Sequence, residues 1–252
     1  LHDSHRRQRQ MCIRDSLIMQ YNISPETSVE SSDDTLSIDK MLNKEIDIQS
    51  HYATTPNGAR FSKRKQGFLP EILENLYDER VLWKNKMIGY QKEFESTDDP
   101  KRKQELNRQI AIAYNNQMVR KISLNSAYGA IGNEWFRYFE LSLAEAVTSS
   151  GQLAIKWVEK AVNMYLNTIL DTEDDYVVAI DTDSIYVRFD ELIKKVNPKN
   201  PVDFLDQVAN GKMQEVINKC YEDLADYTNA YQNKMNMGRE VIADKGIWTA
   251  KK

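Results

Sequence analysis

Apolar positions recur along this chain with two different periods, and the switches between them mark out its elements. From Leu69 the apolar residues Leu73, Leu76, Trp83 and Met87 follow at helical spacing, and Pro70 suits a first helical position. Ser96-Thr97-Asp98-Asp99-Pro100 interrupts the pattern, and Pro100 opens a second helical run that reaches about Tyr128. Two long helices joined by a short polar turn predict an αα-hairpin. Further helical patterns span about Ala144–Leu166 and about Val202–Tyr231, the latter after the break Asn197-Pro198-Lys199-Asn200-Pro201. Between them lies VVAIDTDSIYVRF, Val177 to Phe189, in which two β-rich runs flank Asp181-Thr182-Asp183-Ser184. That spacing predicts two strands and a tight turn. GREVIADKGIWTAKK, at the end of the chain, predicts a β-rich tail. Strands interleaved with packed helices point to an α+β body with a helical projection.

The beginning is different. LHDSHRRQRQMCIRDS has no apolar periodicity and is rich in Arg and Gln, so residues 1–15 read as a foreign or mis-joined leader without order of its own. The pattern changes at LIMQYNISPET, an apolar start running into a Pro-containing turn. Residues 28–66 are polar, with a turn signal at Pro56-Asn57-Gly58.

Composition bounds what this chain can be. At 252 residues, 41% hydrophobic and 29% charged, it can bury a substantial core as one large domain or two smaller ones. No apolar run approaches membrane-spanning length. Cys12 and Cys220 give neither a disulfide framework nor a zinc spacing, and His2, His5 and His51 are too scattered to suggest a metal site. A reducing, cytoplasmic setting fits this usage. The net charge of −4 argues at first against a nucleic-acid partner, but its distribution is uneven. Residues 60–121 carry a local excess of basic groups while the rest is acidic, which suits a protein that grips phosphates with one part and cations with another. A solvated helical hairpin with exposed lysines accounts for the same count.

Two groups of residues carry candidate chemistry. Asp181 and Asp183, one residue apart at the tip of the predicted hairpin, repel each other unless a cation or hydrogen-bond donors occupy the gap. Ordinary turn chemistry explains them as well. An EF-hand is excluded, because Ile185 stands where a third ligand belongs and no Gly follows. The second group lies in RKISLNSAYGAIGN, where Lys121, Asn125 and Tyr128 share one helical face. A cation, an amide and a phenol in line suit a ligand with a phosphate end and a flat aromatic end. Gly129 would let something large approach the backbone. Arg80 and Lys84, four apart on the first helix, place two more cations on one face.

Together these motifs resemble family B DNA polymerases. KISLNSAYG resembles that family's K-x-x-x-N-S-x-Y-G motif, DTDSIYV its palm metal-binding motif, and SLIMQYNISPET (Ser16–Thr27) the segment just after its first catalytic aspartate. The wording of GNEWFRYFELSLAEAVTSSGQ and MGREVIADKGIW is similar to the replicative polymerases of large tailed phages, and the likeness extends from about Ser16 to Lys252. It implies a palm made of an antiparallel sheet packed with helices, together with a helical-hairpin fingers subdomain. Residues 16–66 would then begin the palm and connect to the fingers, 67–128 form the fingers, and 129–252 complete the palm.

The resemblance also implies roles. Asp183 would ligate metal directly and Asp181 more weakly, in a site for two Mg2+ ions that activate the primer 3′-hydroxyl and neutralise departing pyrophosphate. Lys121, with Arg80 and Lys84, would contact the triphosphate of an incoming dNTP. Asn125 would support that pocket and Tyr128 would line the nascent base pair. Gly129 would let the DNA duplex pass, and Lys251 and Lys252 match the start of an element that holds the primer strand. Primer–template DNA and dNTP are the implied partners, with a sliding clamp for the full-length parent, in the cytoplasm of an infected bacterial host. An exonuclease upstream and a thumb downstream are expected of the family, so the chain reads as a fragment.

One departure matters. The family pattern D-x-x-S-L-Y-P-S, aligned on Ser16, puts its catalytic aspartate at Arg9 and its tyrosine at Arg14, with Asp15 close by but out of register. The chain is therefore expected to be inactive by itself. Two other readings stay open. One is a nucleotide- or DNA-binding module with a decayed site. The other is a glycosyltransferase whose D-x-D tip binds a metal and a nucleotide-sugar diphosphate, which leaves KISLNSAYG without a role.

Overall fold

The computed structural model describes residues 13–29, 35–48 and 51–246. They fall into two compact units, one the described part of Met11–Leu153 with Ala225–Lys234, the other Ala154–Leu224 with the described part of Met235–Lys252.

The first unit opens on α1 (Ile13–Tyr21), which is buried on almost every side although it carries Asp15, Ser16 and Gln20. The helix thus begins inside the stretch 1–15 that the sequence suggests is an unordered leader: Ile13 and Asp15 are buried, while residues 1–12, Arg9 among them, lie outside the described residues. The order at residues 13–15 follows from packing, since α1 lies against the hairpin helices of the same unit. After a 3-10 turn at Pro25–Thr27 come β1 (Ser28–Val29), α2 (Ile38–Leu42), β2 (Ala53–Thr54) and β3 (Arg60–Phe61). The three short strands form an antiparallel sheet in the order β1-β3-β2, with Phe61 opposite both Ser28 and Ala53.

The predicted hairpin follows as α3 (Phe68–Ser96) and α4 (Pro100–Ile131). Asp99 caps α4 by accepting from the Lys101 N–H, and Pro100 occupies the first turn, where a missing N–H costs nothing. Pro70 is not the first residue of α3, as its position suggested. The helix starts two residues earlier, with Gly67 as N-cap, because the first amides find acceptors elsewhere in the chain. On α4, Leu106, Ala113, Gln117, Leu124 and Ile131 are buried, spaced by sevens and fours like a coiled-coil seam. The Arg120 guanidinium pairs with the Glu79 carboxylate at 2.6 Å and fixes how far one helix is slid along the other. The helix runs unbroken through Tyr128 and Gly129 to Ile131. The next helix, α5 (Leu141–Leu170), counts with this unit as far as Leu153.

In the second unit, β4 (Val177–Asp181) and β5 (Ser184–Val187) form the predicted hairpin. Then come α6 (Asp190–Val196), α7 (Pro201–Val208), a π-helical turn at Ala209–Met213 and α8 (Gln214–Tyr227), which counts with the first unit from Ala225 onwards. The amphipathic run from Val202 is thus interrupted once and stops at Tyr227, short of Tyr231. Asn229 takes a left-handed φ of 49° and the Ala230 N–H turns back to the Ala225 carbonyl at 2.8 Å, which ends the helix. Residues 238–246 contain no strand, contrary to the β-rich tail expected there. Polar groups at its start find partners on the helices instead: Gln214 donates to the Met237 carbonyl at 2.8 Å, and Arg239 pairs with Asp206. Lys251 and Lys252 lie outside the described residues. Helices beside small antiparallel sheets make the fold α+β.

Candidate active site

One interhelical ion pair sets the level of the hairpin cations along the helices. Glu79 and Arg120 are ion-paired across α3 and α4, so their sequence neighbours Arg80 and Lys121 stand at the same level of the hairpin. Lys84 is one turn further along α3. Between these levels the Trp83 ring has the Lys86 ammonium 4.6 Å and the Arg120 guanidinium 5.9 Å from its centroid, distances at which a cation is attracted to the ring face. Towards the end of α4, Asn125 and Gly129 are exposed and Tyr128 is half-buried. A Cβ built on Gly129 meets nothing within 4 Å, so the backbone there is open.

Two residues of α1 intrude on this face. The Arg14 guanidinium lies over the Tyr128 ring, 4.5 Å from its centroid. Asp15 is buried, and among the described residues neither of its carboxylate oxygens has a hydrogen-bond partner, nor does the buried Nε of Arg80. Burial pushes the Asp15 carboxyl up to about 6, against the opposing pull of Arg80 and then of Arg14. No sequence signal announced this, because Asp15 stands out of register with the motif it resembles.

Asp181 and Asp183 belong to the other unit. Asp181 ends β4 opposite Ser184, and Thr182 with Asp183 makes the two-residue turn. Thr182 adopts the left-handed φ of 52° that such tight hairpin turns require. The Asp183 N–H donates to the Asp181 carbonyl at 2.6 Å, the Ser184 hydroxyl donates to the same oxygen, and the Thr182 hydroxyl donates to Asp181 Oδ1 at 3.2 Å. Asp181 is exposed and Asp183 half-buried. The strand entry is held by α5: Asn163 Oδ1 accepts from the N–H groups of Tyr176 and Val177 at 2.9 and 3.1 Å. Neither Asn163 nor Tyr221 stood out in the sequence. Burial raises the Tyr221 phenol, and the neighbouring Cys220 and Asp183 charges add to the rise.

Among the described residues no group of three or more His, Cys, Asp or Glu side chains gathers as a metal cage. The hairpin tip does offer hard oxygen donors, two carboxylates with hydroxyls beside them. Magnesium is commonly held by one or two carboxylates and completes its shell with water and substrate phosphates. The tip therefore fits magnesium as a partial ligand set. Nor, among the described residues, is any helix long and apolar enough to cross a membrane.

The sequence profile described as DNA polymerase family B matches residues 15–235. The DNA-directed DNA polymerase of Escherichia phage RB69 is 33% identical, an alignment that covers 94% of this chain and 32% of the phage protein. The corresponding enzyme of Enterobacteria phage T4 is 31% identical with the same coverage. The DNA polymerase beta of African swine fever virus (isolate Tick/Malawi/Lil 20-1/1983) is 30% identical over 79% of this chain and 17% of its own length. The chain thus spans about a third of the length of the phage relatives.

Proposed function

The chain belongs to DNA polymerase family B, and from that premise we propose that it holds the nucleotide-gripping helices and the D-T-D hairpin of a template-directed DNA polymerase. The observation that carries the reading is the Glu79–Arg120 pair, which brings Arg80 and Lys121 level on one hairpin with Lys84 a turn away. These three cations bind the triphosphate of a dNTP, and they act by offsetting charge that develops on the phosphates as the leaving group departs. Asn125 supports the phosphate end, Tyr128 flanks the nascent base pair, and Gly129 leaves the DNA duplex room. Asp183, with Asp181, would hold magnesium, which supplies charge neutralisation at the phosphates and a more acidic primer hydroxyl. Lys251 and Lys252 steady the primer strand. DNA and dNTP are the substrates, with a sliding clamp for the longer parent, inside an infected bacterium.

We also infer that this polypeptide binds nucleotide without extending a primer. Arg9 stands where the family motif has a metal-ligating aspartate, and a guanidinium there repels the ions the reaction needs. The Arg14 guanidinium against Tyr128 further favours a binding module over a working catalyst. The test is titration with dATP followed by primer extension with magnesium. Binding that weakens roughly tenfold or more in Lys121→Ala is expected, since a charged hydrogen bond is lost, with no extension. Templated incorporation overturns the inference of inactivity. Absence of dATP binding overturns the nucleotide reading.

A further inference from the structure

The start of α3 is capped by another part of the chain. Its own N-cap, Gly67, has no side chain to offer, yet each amide of the first turn is served. The Gly67 N–H donates to Asn22 Oδ1 at 2.8 Å, the Phe68 N–H to a Glu26 carboxylate oxygen, and the Leu69 N–H to Ser24 Oγ at 3.4 Å. These acceptors are themselves fixed. Ser24 Oγ donates to Glu26 Oε2 at 2.6 Å, and the Asn22 amide donates to the carbonyls of Ser62 and Lys65, each at 2.8 Å. Asn22 also terminates α1, with a left-handed φ of 58° and the following Ile23 N–H returning to the Ile18 carbonyl at 2.9 Å. One residue thus closes one helix and seats the next.

The fit leaves no slack. Asn22 and Ser24 are fully buried, and a Cβ on Gly67 would stand 2.5 Å from Ser24 Cβ, closer than real Cβ atoms come. Further along the helix, Glu74 is braced by Lys234 Nζ at 2.6 Å and by Gln66 Nε2 at 2.8 Å. Arg80 lies about 20 Å along the helix from this socket. A tilt of about 10° at the base therefore moves Arg80 by about 3 Å, far beyond what a hydrogen bond tolerates.

We propose that Asn22, Ser24 and Glu26 are positioning residues: they set the pose of α3 and hence the placement of Arg80 and Lys84 against a triphosphate. The inference rests on the nucleotide reading above, and the test separates the two. Binding of dATP, thermal melting, and amide hydrogen exchange of residues 62–75 are measured on the unchanged chain, on Ser24→Ala, on Glu26→Ala and on Glu26→Gln. The glutamine keeps an acceptor for the Phe68 N–H. In the alanine variants faster exchange at the start of α3 and about threefold to tenfold weaker dATP binding are expected, with a cooperative melt retained and near-normal binding in Glu26→Gln. Unchanged dATP affinity in a folded Ser24→Ala or Glu26→Ala chain whose exchange has risen overturns the positioning role alone. If Glu26→Ala fails to fold, Ser24→Ala against Glu26→Gln carries the comparison. No dATP binding by the unchanged chain removes the nucleotide reading and this inference with it.

Discussion

At the scale of single residues, Asp15 is held in an unfavourable place. Its carboxyl is buried with no hydrogen bond to either oxygen, and the nearby arginines offset only part of the desolvation. The folded chain holds this proton up to about 6, against 3.8 for an ordinary aspartate, so between those values the folded state binds more protons than the unfolded one. The sign follows: Asp15 lowers stability as pH rises through that window, by up to about 3 kcal/mol once it is ionised in both states. Asp15→Asn should therefore be more stable than the unchanged chain at pH 7.5, by about 1–2 kcal/mol after allowing for an unsatisfied amide. The gain should vanish near pH 4. Urea unfolding at the two pH values measures it, and an equal effect at both would show that the carboxyl is not desolvated. The residue types of the candidate site come from motif spacing in the sequence. Their surroundings do not: nothing local says that Arg14 lies on Tyr128 or that Tyr221 stands near Asp183, since those neighbours are remote in the chain.

At the scale of elements, the helical hairpin was legible because its signals are local. Asp99 and Pro100 mark a cap and a first turn, and apolar spacing marks the first helix. The β4–β5 hairpin was legible for the same reason, two β-rich runs around a polar pair. The true start of α3 was not, because its cap comes from residues more than forty positions earlier. The π-helical turn within the run from Val202 left no signal that helical periodicity could register. Periodicity also does not say which apolar residue is buried. On α4, Leu124 is 2% exposed and Ile122, two positions away, is 59% exposed. Leu124→Ala should then cost about 2–5 kcal/mol, the transfer and cavity terms of a core leucine. Ile122→Ala should stay within about 0.5 kcal/mol. Denaturant midpoints at equal slopes decide it, and comparable losses would mean that the seam along α4 is not where its buried residues put it.

At the scale of the whole molecule, family membership is carried by residues 15–235, and the proposed inactivity rests on residues ahead of Ser16. The match to the family thus begins where the apolar patterning begins, and the basic, unpatterned text precedes it. A metal site of this family needs carboxylates from two separate strands. On the reading proposed above, Asp181 and Asp183 would supply one, and Arg9 stands where the motif that the sequence resembles has the other. Selection for catalysis does not place a cation there, and selection against it would be expected to leave marks elsewhere. Yet Lys121, Asn125, Tyr128, Gly129 and the D-T-D tip all stand as the family motif has them. Two accounts of the residues ahead of Ser16 are separable by experiment: they belong to the gene that encodes the rest, or they do not. Resequencing the source DNA across the codons upstream of Ser16 decides between them, and an open frame reading D-x-x-S-L-Y-P into Ser16 would mean that the motif is whole in the source gene. Confirmation of LHDSHRRQRQMCIRD in the source would mean instead that the metal site was lost in the organism, and nucleotide binding without turnover would then be the property that the intact motifs retain.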